Sequence, residues 1–297
     1  MHQDSFVLYC KTYEGDARRL ARLADSIRRF NADNIRFYVS VPSKDRPLFR
    51  DILGNDFDLL DDEEIIAANP RAVVSRYASM DGRITQQIVK SEFWRLVPCR
   101  AYLCVDSDGK FLRPFRRGDF IDSDGIAFTV IHENKEVLDM AIRKGRHKVA
   151  EDFARDSERM KARFGRKGPN YLFGPPPFLW SAAVWRDLDE KYLQPRGMTF
   201  WDAIDEDACE WRWYAEAQLA FNSIPMKPRG PYFRFYHYDW QWREMRKRGE
   251  TEETIARDYL GVVYQSNWEF EMDAGSKVRP AGSRLIRRFK RWMNGFI

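Results

Sequence analysis

Histidine and cysteine are both scarce, with 4 of each in 297 residues. Cys10, Cys99, Cys104 and Cys209 show no C-x-x-C spacing and two of them sit in apolar runs, so they read as reduced core thiols in a reducing compartment, not as a disulfide framework. No stretch of about 18 consecutive apolar residues occurs, which removes the membrane-span reading. The opening MHQDSFVLYCKTYEGD lacks a charged segment followed by a long apolar one, so no export signal is read and a cytoplasmic protein is expected. A charge excess is missing from the body of the chain. The net charge is +5, but Arg284, Arg287, Arg288, Lys290 and Arg291 supply that many positive charges near the C-terminus with no acid among them. A basic face spread over the fold, as nucleic-acid binding requires, is therefore not expected. There is no internal repeat at solenoid spacing. What the chain has in quantity is apolar residues, 44%, enough to bury a sizeable core, and aromatics, 15% with 10 Trp and 13 Tyr, which favour stacking surfaces.

Strand and helix patterns alternate in the first half. Phe6–Cys10 (FVLYC) reads as a strand, and Leu20, Leu23, Ala24 and Ile27 set a helical spacing after Gly15-Asp16. Ile35–Val41, stopped by Pro42, and Phe57–Leu60 are further strands; Arg83–Val97 is a helix, Ala101–Val105 a fourth strand and Gly125–His132 a fifth. That order predicts an α/β fold with a mainly parallel sheet covered by helices on both faces. Residues 134–166 turn to charged helix formers interrupted at Gly145, a solvated helical pair inserted into the fold. Residues 165–178, with Pro175, Pro176 and Pro177, form an extended loop.

The stretch LVPCRAYLCVDSDGKFLRPF ends an apolar strand in Asp106 and Asp108. Two carboxylates at a core edge need a positive partner. Alternate positions on one side of the pleat could share a hard cation such as Mg²⁺ or Mn²⁺, which takes one or two protein carboxylates and leaves the remaining positions to phosphate and water. A plain turn whose carboxylates cap amides is the other reading. An EF-hand loop is excluded, because aligning either D-G leaves Cys104 or Phe120 first and Phe115 or Ile131 last, where carboxylates are required. The second D-S-D-G, Asp122–Gly125, precedes a strand and reads as coincidence or a hairpin turn. On the preceding helix Arg83, Gln87, Lys90 and Trp94 share a face, a polar stripe beside the pair.

Helix, proline, apolar strand, D-x-D and F-L-R-P resemble the central block of the GT-A glycosyltransferases, and FVLYCKTYEGDARRLARLADSIRRF resembles their first strand, loop and helix. QQIVKSEFW, PPPFLW, EWRWY and YHYDWQW resemble an uncharacterised bacterial family presumed to build cell-envelope polysaccharide or lipopolysaccharide. The resemblance covers nearly the whole chain. It implies a Rossmann-type GT-A-like catalytic unit over 1–282, with a nucleotide-binding half at about 1–133, the helical insertion at 134–166 and an acceptor side at 167–282. It further implies transfer of a sugar from a nucleotide-diphosphate donor to a glycan or lipid-linked acceptor. Asp106 and Asp108 would hold Mn²⁺ or Mg²⁺, with His237 as a late third ligand, which would favour Mn²⁺. Lys11, Thr12, Tyr13 and Ser107 would contact the nucleotide, with Arg83, Gln87 and Lys90 near the diphosphate or donor sugar.

An inverting transferase also needs a base for the acceptor hydroxyl. Glu210 and Glu216 lie on one helix beside Trp211, Trp213 and Tyr214, which would desolvate a carboxyl and stack on sugar rings; Glu210 resembles the family position. Residues 283–297 (SRLIRRFKRWMNGFI) put Leu285, Phe289, Trp292, Met293 and Phe296 on one stripe against arginines, an amphipathic helix suited to an anionic membrane surface or to a protein face. Two rivals stand beside this reading. A nucleotidyltransferase would carry a glycine- and lysine/arginine-rich first loop, which Lys11–Gly15 is not; a non-catalytic carbohydrate- or membrane-binding protein could keep the same fold.

Overall fold

A computed structural model describes residues 5–266. Phe6–Lys11 forms strand β1, Ala17–Phe30 helix α1, Phe37–Val41 β2, Arg46–Leu53 α2 and Asp58–Asp61 β3. Asp62–Ala67 (α3), Val74–Ser79 (α4) and Gly82–Leu96 (α5) lead to β4 (Ala101–Cys104) and β5 (Gly109–Phe111). Then come β6 (Thr129–Val130), α6 (Lys135–Arg143), α7 (His147–Arg163), β7 (Phe178–Ser181), α8 (Ala182–Asp187), α9 (Phe200–Glu206) and α10 (Glu210–Phe221). The described chain closes with β8 (Pro228–Arg229), β9 (Phe233–Tyr236), α11 (Asp239–Lys247), α12 (Glu252–Asp258) and β10 (Gly261–Tyr264).

The central sheet runs β3-β2-β1-β4-β7. Its first four strands are parallel, and β7 adds an antiparallel edge. Both faces are covered, so β1 is apolar at every step of the pleat: Phe6, Leu8 and Cys10 face one core, Val7 and Tyr9 the other. Helix α1 fills the first with Leu20, Leu23, Ala24 and Ile27. Helix α5 fills the second, where Phe93 stacks on Tyr9 at 3.8 Å between ring centroids. The order of strands reverses between β1 and β4, which opens a crevice beyond their carboxyl ends. A second sheet, β5-β10-β9, flanks that crevice. Gly109 lets the chain turn onto it: a Cβ there would lie 3.2 Å from the Asp106 carbonyl oxygen and 3.3 Å from Val263.

The α/β architecture expected from the sequence is present, with three local differences. The second strand starts at Phe37, because the Ile35 amide is spent on the Asn31 side chain at 2.9 Å. Residues 125–132 do not join the central sheet; Thr129–Val130 pairs with Pro228–Arg229, and His132 makes a single bridge to Leu172. The cause lies upstream, where the Asp122 carboxylate accepts the amides of Asp124 (2.9 Å) and Ile126 (2.8 Å) and closes a turn bridged at Ile121 and Ala127. The inserted helices are α6 and α7, broken at Gly145 with a φ of +66°. They are ion-paired to the body through Arg159 and Asp207 (2.6 Å) and through Glu136 and Arg234 (2.9 Å), not merely solvated. The amphipathic segment 283–297 lies outside the described residues. Among the described residues no helix is long and apolar enough to cross a membrane.

Candidate active site

A cleft of about 2420 Å³ lies over the crevice between β1 and β4. The end of β1 brings Lys11, Thr12 and Tyr13 to it, and the turn after β4 brings Asp106, Ser107 and Asp108. Helix α5 adds Arg83, Gln87 and Lys90, the first residue of α10 adds Glu210, and the turn after β9 adds His237. Glu216 does not line it.

The two aspartates are brought together by a turn and not by pleat alternation, since β4 stops at Cys104 and the Gly109 amide closes back on the Asp106 carbonyl at 2.9 Å. Asp108 receives one amide, from Ser266 at 2.8 Å, on Oδ2. Its Oδ1 is covered and has no hydrogen-bond partner. Burial, reinforced by the neighbouring Asp106 charge, pushes the Asp108 carboxyl up to about 7. Asp106 and Asp108 are the residues of the cleft that could hold a hard cation, which takes oxygen donors. Among the described residues no three His, Cys, Asp or Glu side chains gather as a metal centre, so His237 does not join the pair.

Asp106 is met by Lys90, whose ammonium lies 2.6 Å from Asp106 Oδ1 and 3.9 Å from Glu210 Oε1. Burial alone would lower the Lys90 pKa, but Asp106, Cys104 and Glu210 outweigh it and the net shift is upward, so the ammonium stays charged. Glu210 is buried, and burial raises its carboxyl above the usual carboxylate range against the opposing pull of Lys90. Gln87 fixes the start of α10: its Oε1 accepts the Glu210 amide at 3.2 Å.

At the end of β1, Lys11 is ion-paired with buried Asp62 at 2.7 Å and donates to the Thr12 carbonyl at 2.7 Å. Burial raises the Asp62 carboxyl, with Lys11 opposing. The Lys11 charge is thus shared with a carboxylate the sequence did not pair it with. The Thr12 hydroxyl is buried and has no hydrogen-bond partner, and the Tyr13 ring lies over Gly15, where a Cβ would come within 2.4 Å of it. Arg83 is exposed and held by Asp81 at 3.0 Å, the residue that caps α5.

Two further expectations change. Glu216 is buried away from the cleft, and Arg166 takes both its oxygens, one at 2.7 Å. Trp213 and Tyr214 are core residues: the Trp213 indole donates to the Asp207 carbonyl at 3.0 Å and the Tyr214 hydroxyl accepts the Ser181 amide at 2.8 Å. Trp211 alone of that trio lines the cleft. His237 is solvent-exposed on the cleft wall. Sequence reasoning missed Asp62 and Ser266; each faces its partner across an interval no local pattern encodes.

No curated protein matches the sequence. Among solved structures, the apo form of mouse xyloside xylosyltransferase 1 is similar at 10% identity over 88% of this chain and 98% of that chain, with a TM-score of 0.48. A likeness of that degree assigns no activity. A family model matches residues 2–220, well over half of the chain. The protein accordingly belongs to a family of unknown function, DUF6492.

Proposed function

We propose that this chain is a glycosyltransferase that moves a sugar from a nucleotide-diphosphate donor to a glycan acceptor. The observation that carries the reading is the covered, unpartnered Oδ1 of Asp108 beside Asp106 at a strand-order reversal, where α/β sheets take up their ligands. Asp106 and Asp108 would hold Mn²⁺ or Mg²⁺, which when bound offsets the charge that grows on a departing nucleoside diphosphate. Lys90 is buried against Asp106 and keeps a fixed positive charge in the floor of the site. Thr12 and Tyr13 stand at the end of β1, where a nucleoside would seat, and Ser107 lies between the carboxylates. Glu210, with a raised carboxyl pKa, is the group that would take the acceptor hydroxyl proton, and Gln87 sets its position. Glu216 orients Arg166 instead. The cell-envelope setting, and the membrane seat of 283–297 on the inner face of the plasma membrane, are parts of the same proposal that rest on the sequence alone.

The test is thermal unfolding with a panel of sugar nucleotides, each with and without Mn²⁺. A donor that binds only the folded state at a hundredfold excess over Kd adds about 2.7 kcal/mol, a clear upward shift in Tm. A flat panel with Mn²⁺ present, or a shift that survives in Asp108→Asn, overturns the reading.

A further inference from the structure

The cleft is larger than its donor requires. A pocket for a compact ligand measures about 300–1,000 Å³, so a sugar nucleotide at the carboxylates leaves more than half of the 2420 Å³ for something else. What lines the remainder is specific. On one flank Trp211 of α10 is half-buried and stacks near Phe178, with ring centroids 6.4 Å apart. On the other, Tyr238 and Trp240 are half-buried and stacked at 5.1 Å and 14°. That turn is braced by hydrogen bonds: buried Gln241 accepts the His237 amide at 3.0 Å and donates to the Phe235 carbonyl at 3.3 Å. The α6–α7 hairpin ties the flanks together, with the Arg146 guanidinium 5.7 Å from the Trp240 ring and Asp156 paired with Arg212 at 3.2 Å. Asp152 and Asp156 face the cleft between the two flanks.

Separated aromatic surfaces with carboxylates and guanidinium groups between them match a chain of sugar rings, whose faces are apolar and whose rims carry hydroxyls. Asp152 is paired with Arg155 at 2.6 Å and Asp156 with Arg212, and a hydrocarbon tail laid against those ion pairs would strip them of water and offer no hydrogen bond in return. Resting on the glycosyltransferase reading, we propose that this half of the cleft is an acceptor subsite for an oligosaccharide of at least two rings. Trp211 takes one ring and the Tyr238–Trp240 stack another, while Asp152, Asp156 and Arg212 bond the hydroxyls. The preformed turn lowers the ordering cost of binding.

The experiment is a glycan array probed with the labelled full chain in EDTA, without donor, using wild type, Trp211→Ala, Trp240→Ala and Trp240→Phe. Circular dichroism and Tm confirm that each variant folds. The expected result is binding to a subset of oligosaccharide spots and none to monosaccharides, weakened on the order of tenfold in each alanine variant and largely restored in Trp240→Phe. Equal binding to monosaccharides, indifference to both alanine variants, or a blank array would overturn the subsite. Because the array omits metal and donor, a blank array beside an intact Mn²⁺-dependent shift condemns the subsite alone. A flat shift beside oligosaccharide binding condemns the donor reading and leaves a carbohydrate-binding protein.

Discussion

Asp108 holds a carboxyl with one oxygen satisfied and one bare in a covered position, an arrangement that lowers stability whenever the group is ionised. Asp108→Asn keeps the shape and removes the charge. We expect the metal-free variant to be at least as stable as wild type at pH 8 by urea unfolding, and to lose any Mn²⁺-dependent gain; a marked loss of stability without metal would refute the account. Lys90 has the opposite character, since its removal strands Asp106 and Glu210. Lys90→Met should cost about 3 kcal/mol, and adding Asp106→Asn to it should recover part of that loss.

At the scale of elements, the turn after β4 depends on a residue without a side chain. Gly109→Ala presses a methyl on the Asp106 carbonyl and on Val263, and should lower stability by about 1 kcal/mol while shifting the carboxylates; denaturant midpoint and Mn²⁺ response read the two effects. The link between β6 and the proline-rich loop is pH-sensitive. His132 Nδ1 accepts the Asn134 amide at 3.0 Å and Nε2 donates to the Gly174 carbonyl at 2.7 Å, so the ring is neutral, and burial lowers its pKa below the unfolded value. The unfolded chain therefore binds the proton more readily below about pH 6.5, and stability falls on acidification. His132→Gln should flatten that part of the pH profile of Tm; an unchanged slope would count against it.

The same scale explains what could be read from sequence. Strands β1 to β4 and helices α1 and α5 were legible because burial on both sheet faces and 3.6-residue periodicity leave local marks, and Asp106 and Asp108 stood out at a strand end. Phe178–Ser181 and Gly261–Tyr264 are apolar runs that could have been marked as strands, but their partners lie far away along the chain. The Gln87 contact to Glu210 and the Lys11 pairing with Asp62 join separate elements, so spacing carried no sign of them. The run 125–132 looked like a strand because its residues suit one; side-chain capping by Asp122 decided otherwise.

For the whole molecule, the α6–α7 hairpin fastens two flanks of one cleft. Glu136 reaches buried Arg234 with both oxygens, at 2.9 and 3.0 Å, though it is itself half-exposed. Glu136→Gln should cost less than about 1 kcal/mol overall. It should nevertheless speed hydrogen exchange across Lys135–Arg143 and leave the amides of β1 and β4 unchanged. Uniform acceleration over both regions would mean that the hairpin is not a separable unit.

The amide that anchors Asp108 comes from Ser266, 158 residues further along the chain. Every strand of the central sheet has been synthesised by Ser181, so on a ribosome that sheet can form while Asp108 still lacks its anchor. A nascent chain halted before β10 would hold a finished scaffold and an unassembled centre. Synthesis order thus delays the site until the second sheet closes upon it.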